Sequence, residues 1–246
     1  MNAPTAAIVL AAGRGSRLRP LTDNLPKCLV DVGGRSILDR LLRQLADCGV
    51  TQATVVGGYL LPQLKKNLDD APLQTLLVAN CRYDTTGSAA SLLLGLQLHP
   101  QRHSALLVEG DMLFEDTLLA SLLRSEAPVA TLYDPRSRMQ GSRLQVDEKG
   151  RVLSWRHSDD FARVATKGKA LNLTLVGDFD AREVLVRVLE EVVEADPAAP
   201  AERALDRLCG EVPVAAIEAG EGCWIEVDDE NDLSRARCLF DAGASI

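Results

Sequence analysis

The feature that most constrains this chain is a short apolar run that breaks into a small-residue, cation-rich loop. Ala6 to Leu10 is the length and composition of a buried strand. It runs into Ala11-Ala12-Gly13-Arg14-Gly15-Ser16-Arg17-Leu18-Arg19-Pro20-Leu21-Thr22, and then into Pro26-Lys27-Cys28-Leu29. Glycines here let the backbone come close to a ligand, and successive N–H groups in such a loop can converge on phosphate oxygens. Arg14, Arg17, Arg19 and Lys27 add four cations within fourteen residues. A polyphosphate is the partner that matches this combination.

Two familiar phosphate loops do not fit. The P-loop spacing G-x-x-x-x-G-K-[ST] is missing from this stretch. A dinucleotide fingerprint needs a third glycine where this chain has Leu18. It also needs an acid after the second strand, where this chain has Val56-Gly57-Gly58. An ordinary strand-to-loop turn with solvated arginines would explain an isolated G-x-G. It does not explain the full run L-A-A-G-x-G-S-R-L-x-P-L-T-x-x-x-x-P-K-x-L.

That run resembles the signature of the nucleotidyltransferase family that includes the sugar-1-phosphate nucleotidylyltransferases and the phosphocholine and phosphonate cytidylyltransferases. The resemblance implies a Rossmann-like α/β fold of the GT-A type. It also implies a mixed, mainly parallel central sheet with helices on both faces, and Mg²⁺ as cofactor. Leu10, Ala11, Ala12, Gly13, Arg14, Gly15 and Ser16 then form the nucleotide cradle, with Arg17 and Lys27 as catalytic cations.

The residue pattern reaches a compatible fold class independently. Ser36 reads as the N-cap of a helix to about Cys48, with Ile37, Leu38, Leu41, Leu42 and Leu45 at helical spacing. Strands at Ala53–Val56 and Leu76–Ala79 flank a polar helix near Gln63–Leu68. Alternating strands and helices predict a parallel sheet covered on both faces. The stretch Leu29–Val32 reads as a short strand ending at Gly33-Gly34. From Ala127 the pattern changes. A strand at Val129–Tyr133 and a hairpin over 143–155 follow, then a strand at Lys169–Val176 and helices at about Ala181–Glu194 and Ala201–Leu208. A strand at Val212–Ile217 leads to a final strand, Trp224–Asp228, and a helix to about Ala242. One domain over 1–246 is expected, with residues 1–125 holding the nucleotide and 126–246 the acceptor.

Composition narrows the partners. A formal charge of −8 argues against nucleic acid, and no apolar run approaches a membrane span. The six cysteines show no C-x-x-C, so neither a zinc site nor a disulfide framework is expected. Residues 1–7 lack a basic n-region, so the expected location is cytoplasmic. A homodimer is allowed for.

Asn80-x-x-Tyr83-x-x-Thr86-Gly87-Ser88-x-x-Ser91 is a polar loop opening a helix, where close approach and the helix dipole favour a ligand. A plain capped helix start would look the same. By resemblance, Asn80, Thr86, Gly87 and Ser88 join the nucleotide site, the Gly-Ser pair lining the base pocket, and Tyr83 joins the acceptor side. Asp111, after the strand Ser104–Val108, stands where α/β proteins bind ligands, and is a candidate Mg²⁺ ligand. A helix N-cap is its bland alternative, and Glu109 could support it from behind. Resemblance places Asp228 as the second metal ligand and Glu226, a lesser metal candidate, on the acceptor side. It also matches Lys169 and Asn172 to a K-x-x-N acceptor segment. An edge strand carrying a solvated lysine is the alternative there. His157 reads as solvated.

The resemblance thus implies cytidylyl transfer from CTP to a small phosphonate or phospho-alcohol, with pyrophosphate released. Tyr83, Tyr133, Trp155, Phe161 and Trp224 suggest no aromatic cage, which disfavours phosphocholine. The alternatives are a sugar-1-phosphate nucleotidylyltransferase using UTP, dTTP or GTP, and a non-catalytic nucleotide sensor.

Overall fold

The computed structural model describes residues 6–99, 104–137, 139–156 and 168–240. The chain opens with β1 (Ala6–Ala11), followed by single 3₁₀ turns at Ser16–Leu18, Leu21–Asp23 and Lys27–Leu29. Next come β2 (Asp31–Val32), β3 (Arg35–Ser36), α1 (Ile37–Asp47), β4 (Gln52–Gly57), α2 (Leu61–Leu68), β5 (Gln74–Ala79) and α3 (Ser88–Leu98). They are followed by β6 (Ala105–Glu109), β7 (Met112–Phe114), α4 (Asp116–Leu123), β8 (Val129–Asp134), β9 (Arg143–Val146) and β10 (Val152–Arg156). The last elements are β11 (Gly168–Val176), α5 (Phe179–Ala195), α6 (Ala201–Cys209), β12 (Val214–Glu218), β13 (Trp224–Glu226) and α7 (Glu230–Phe240).

β5, β4, β1 and β6 run parallel, and β6 then meets β11 antiparallel. β11 is the hinge of the mixed sheet. Along one side it pairs first with β9 and then with β6; along the other it follows β8. The register with β8 shifts between Ala170 and Thr174, and Asn172 in that gap has φ of 55°. Asparagine tolerates this left-handed conformation better than most side chains.

Side chains alternate across β1, and the two faces carry separate cores. Ile8 packs with Leu92, Leu96, Leu185, Leu189 and Leu208, from α3, α5 and α6. Ala7 and Val9 pack with α1, α2 and α4 on the opposite face, where Leu38, Leu42, Leu64 and Leu119 are buried. Burying each such leucine stabilises the fold by about 1.5–3 kcal/mol. α1 starts where expected, with the Ser36 hydroxyl accepting from Asp39 N at 3.1 Å. A third cluster (Leu18, Val30, Ile37, Leu113, Ile225 and Leu233) lies beneath the N-terminal loop and α7.

The structure corrects two sequence expectations, the bounds of two short strands, and excludes two alternatives, Asp111 as a helix cap and Lys169 as a solvated edge lysine. Residues 27–29 form a 3₁₀ turn, and only Asp31–Val32 is extended. β7 intervenes between Asp111 and α4, so Asp111 does not cap that helix; Glu115 stands at its N-terminus. β13 ends at Glu226, leaving Asp228 in the turn before α7. β11 is interior rather than an edge, so Lys169 is not solvated: it is 1% exposed. The hairpin over 143–155 is present and leans on α6, with Trp155 N donating to Asp206 Oδ1 at 2.7 Å. His157 and Phe161 lie outside the described residues. No helix among the described residues is long and apolar enough to cross a membrane.

Candidate active site

The loop after β1 is held by its own side chains and by Tyr59, which follows β4. Gly15 has φ of 64°, and a Cβ there would lie 2.7 Å from Lys27 Cβ. Thr22 Oγ1 donates to the Gly15 carbonyl at 2.8 Å. The Tyr59 hydroxyl lies within hydrogen-bond distance of the Thr22 and Asp23 carbonyls. The Arg14 guanidinium stacks 5.2 Å over the Tyr59 ring. Buried Leu18 anchors the loop in the third cluster, and its turn leaves Arg17 at the surface.

Lys27 Nζ lies 2.6 Å from Asp111 Oδ2 and 2.7 Å from Asp228 Oδ1. Arg17 Nη2 adds a 2.7 Å contact to the same Asp228 oxygen. A small antiparallel pair brings the two aspartates together. β7 leaves Asp111, β13 approaches Asp228, and Val227 N donates to the Asp111 carbonyl at 3.0 Å. Asp229 and Asp232 then cap the start of α7, and Asp232 Oδ2 also accepts from Asp228 N at 3.1 Å. Burial pulls the Lys27 ammonium down, but Asp111 and Asp228 outweigh it and hold its pKa above the ordinary lysine range. Burial opposes the ionised form of Asp228, yet Lys27 and Arg17 keep its pKa below the usual aspartate value.

Behind this pair stands a second set of acids. One oxygen each from Glu109, Asp111 and Glu226 all lie within 4.8 Å of one another. Asn172 Nδ2 donates to Glu109 Oε2, and Lys169 Nζ donates to Glu226 Oε2, both at 2.9 Å. Glu109 is pushed well above the usual carboxylate range, first by burial and then by the charges of Asp111, Glu202 and Glu226. Glu226 is also raised by burial, against the pull of Lys169. The K-x-x-N pair therefore faces two carboxylates.

Two recesses flank the acids. One, of about 210 Å³, is lined by Gly13, Tyr83, Thr86, Ser88 and Asp111 among others. Tyr83, assigned by sequence to the acceptor side, stands here beside Tyr59, with ring centroids 6.3 Å apart, and not with Lys169 and Asn172. Gly58 makes room for it, since a Cβ there would lie 2.5 Å from Tyr83 Cβ. Gly87 and Ser88 are clamped by the loop before α6. Gly87 N donates to Pro197 O at 2.9 Å, Ser88 Oγ accepts from Ala201 N at 2.8 Å, and a Cβ on Gly87 would lie 2.1 Å from Ala199 O. Asn80 is 4% exposed and stands behind this recess. Its amide donates to Thr86 Oγ1 and Ser91 Oγ and accepts from Arg82 N, each at 3.0 Å. It shapes the loop while its own polar atoms are taken.

The second recess is small, about 30 Å³, and is lined by Leu10, Glu109, Asn172, Glu202 and Leu205 among others. Sequence reasoning missed Glu202, which reads locally as an ordinary first-turn acid of α6. Glu202 Oε1 accepts from Ser142 Oγ at 2.5 Å.

The donor set fits a hard divalent cation. It offers only oxygen ligands, and Asp111 Oδ1 is buried with no hydrogen-bond partner. Glu109, Asp111 and Glu226 are the acids whose oxygens could hold such an ion together, and Asp228 is joined to Asp111 through Lys27.

Known proteins are similar to this chain in sequence and, separately, in fold. A CTP:phosphoglutamine cytidylyltransferase from Campylobacter jejuni subsp. jejuni is 30% identical over 132 residues, 52% of this chain and 52% of that protein. A CMP-5'-(3-aminopropyl)phosphonate synthase from Streptomyces rubellomurinus is 29% identical over 250 residues, 96% of this chain and 39% of that protein. The chain thus spans about half of the first relative's length and less of the second's. The inositol-1-phosphate CTP transferase from T. maritima superposes with a TM-score of 0.81 at 20% identity, over 100% of this chain and 99% of that one. That likeness is one of fold. Residues 7–143, more than half of the sequence and including Gly13, Gly15, Lys27 and Asp111, match the MobA-like NTP transferase domain, so the chain belongs to that family.

Proposed function

We propose that this protein is a nucleotidyltransferase that moves a cytidylyl group from CTP to a small phosphonate or phospho-alcohol. The observation that carries this reading is the convergence of Lys27 on Asp111 and Asp228 beside the glycine loop. Charge neutralisation and in-line placement are what phosphoryl-type transfer requires.

An acceptor oxygen, already anionic, attacks the α-phosphorus. The bond to the β-phosphate oxygen breaks, and pyrophosphate leaves with the electron pair. No general base is needed. The backbone of Gly13 to Ser16 and Arg17 hold the β- and γ-phosphates. Lys27 lies between the α-phosphate and the acceptor anion. Mg²⁺ held by Asp111 and Asp228 would supply Lewis-acid charge neutralisation at the α-phosphate. Leu10, Ala11, Ala12, Thr86, Gly87 and Ser88 form the walls around the nucleoside, and Asn80 keeps that wall in shape. Lys169, Asn172 and Glu226 face the acceptor. The hairpin of β9 and β10 adds its outer wall.

CTP is favoured over other triphosphates because the relatives above include a CTP:phosphoglutamine cytidylyltransferase and a CMP-phosphonate synthase. A small phosphonate or phospho-alcohol is favoured over a sugar phosphate because a CMP-phosphonate synthase is among the relatives above. The test is a panel of CTP, UTP, dTTP and GTP against aminoalkylphosphonates, phospho-alcohols and glucose 1-phosphate with MgCl₂. Pyrophosphate release and product mass are the readouts. CTP with a phosphonate or phospho-alcohol is expected to turn over fastest. Preference for UTP or dTTP with a sugar phosphate overturns the cytidylyl assignment. Nucleotide binding with no product for any pair overturns the enzyme.

A further inference from the structure

We propose that the Lys27 ammonium is a placeholder for the divalent cation, and that its release from Asp111 and Asp228 couples metal entry to nucleotide binding. The inference rests on the metal-binding role proposed above for the two aspartates. It concerns what Lys27 does before any substrate arrives.

The geometry is specific. Nζ bridges one oxygen of each acid, at 2.6 and 2.7 Å, and its side chain is only 14% exposed. A magnesium–oxygen bond runs about 2.0–2.1 Å. A divalent ion between the same carboxylates therefore claims the space and the negative charge that the ammonium now uses. Two like-charged groups a few ångströms apart in a partly buried site repel strongly. One must leave.

The lysine has somewhere to go. Its Cβ, Cγ and Cδ lie along Gly15, within 2.7–3.3 Å of where a Cβ on that glycine would stand. The ammonium is thus tethered on a stem that runs past the loop proposed to hold the triphosphate. Rotation of the terminal methylenes moves Nζ from the acids toward phosphate oxygens. Without nucleotide, that swing exchanges two carboxylates for water. With nucleotide, it exchanges them for phosphates. Metal alone then binds poorly, and metal with nucleotide binds well, because each ligand favours the same position of Lys27.

The experiment measures Mn²⁺ binding without nucleotide, by the loss of the free-ion electron paramagnetic resonance signal. It compares wild type, Lys27→Met, Lys27→Gln and the double variant Lys27→Met/Asp111→Asn. Circular dichroism confirms that each is folded, and Lys27→Gln stands in should Lys27→Met not fold. Removing the ammonium is expected to tighten Mn²⁺ binding by about tenfold or more, in the range of ordinary coupling factors. The double variant is expected to lose that gain, which locates the ion at Asp111. Equal or weaker Mn²⁺ binding in the folded Lys27 variants overturns the placeholder role. Tightening that survives in the double variant also overturns it. Neither result touches the transferase reading, which pyrophosphate release tests separately.

Discussion

Lys169 donates to Glu226 Oε2 across 2.9 Å, with side-chain exposures of 1% and 13%. The pair joins an interior strand of the large sheet to a short C-terminal strand. Breaking such a buried pair by removing one partner typically costs about 3–5 kcal/mol. Lys169→Met is expected to show that loss in urea unfolding at about pH 8. It leaves Glu226 charged among Asp111 and Asp228. Glu226 already has a pKa raised by burial, and losing Lys169 raises it further. A carboxyl whose folded pKa is raised penalises the fold above that pKa, and the penalty fades as pH falls through it. The deficit of Lys169→Met should therefore shrink on acidification. A deficit that grows with acid would show that another group controls it.

Gly15 and Gly13 separate strain from ligand approach. Gly15 has φ of 64°, and its missing Cβ makes room for Lys27. Gly15→Ala is expected to cost about 1–2 kcal/mol from backbone conformation alone, with a lower turnover because Lys27 is displaced. A Cβ at Gly13 meets nothing within 4 Å. Gly13→Ala should leave the melting temperature unchanged and raise KM for the nucleotide. Thermal melts and steady-state kinetics on the two variants check both parts.

Lys27→Ala and Asp111→Asn each remove one member of the 2.6 Å contact. Each is expected to lower kcat by about 10²–10³ while the protein stays folded, as for other preorganised electrostatic groups. Near wild-type turnover at saturating substrate in either variant removes that residue from the mechanism.

Asn80 is buried behind the proposed nucleotide recess with three hydrogen bonds. Asn80→Ala removes three hydrogen bonds, each contributing about 0.5–1.5 kcal/mol to stability. The expected kinetic signature is a raised KM for the triphosphate with kcat largely retained. A fall in kcat alone would instead put Asn80 at the reacting centre.

Cys81 and Cys238 are exposed, whereas Cys28 and Cys209 are buried. Burial pushes the Cys28 and Cys209 thiols up to about 12. The reactive form is the thiolate, so both should resist Ellman's reagent at about pH 8 in the native protein. Cys81 and Cys238 should react fast, and unfolding should release the others. Rapid native labelling at Cys28, read by peptide mass mapping, would contradict its packing beside Asp111.

Much of this was legible locally. The five apolar residues of α1 and its Ser36 cap appear in the structure as the spacing predicts, because helix periodicity and capping act within a few residues. Residues 8–29 carried the family resemblance, and Asp111 and Asp228 were singled out with it. Three other features were not legible. The β7 strand is three residues, too short for an alternation signal, and its pairing with β13, itself read as a strand over 224–228, had no local sign. Lys169 resembles any edge lysine until its neighbours on both sides are known. The clamp on Gly87 comes from residues 197–201, and nothing near Gly87 announces it.

The order of residues alone sets the alternation of elements, the glycine loop with its cations, and the acids worth suspecting. These follow from short-range sterics, from hydrophobic period and from a contiguous motif. It takes the folded chain to bring Lys27 to an aspartate 84 positions away and another 201 away, and to gather Glu109, Asp111 and Glu226 into one small volume. Those meetings depend on strand order and on the β7–β13 pairing. The free energy of such contacts belongs to the packed whole and to no segment of it.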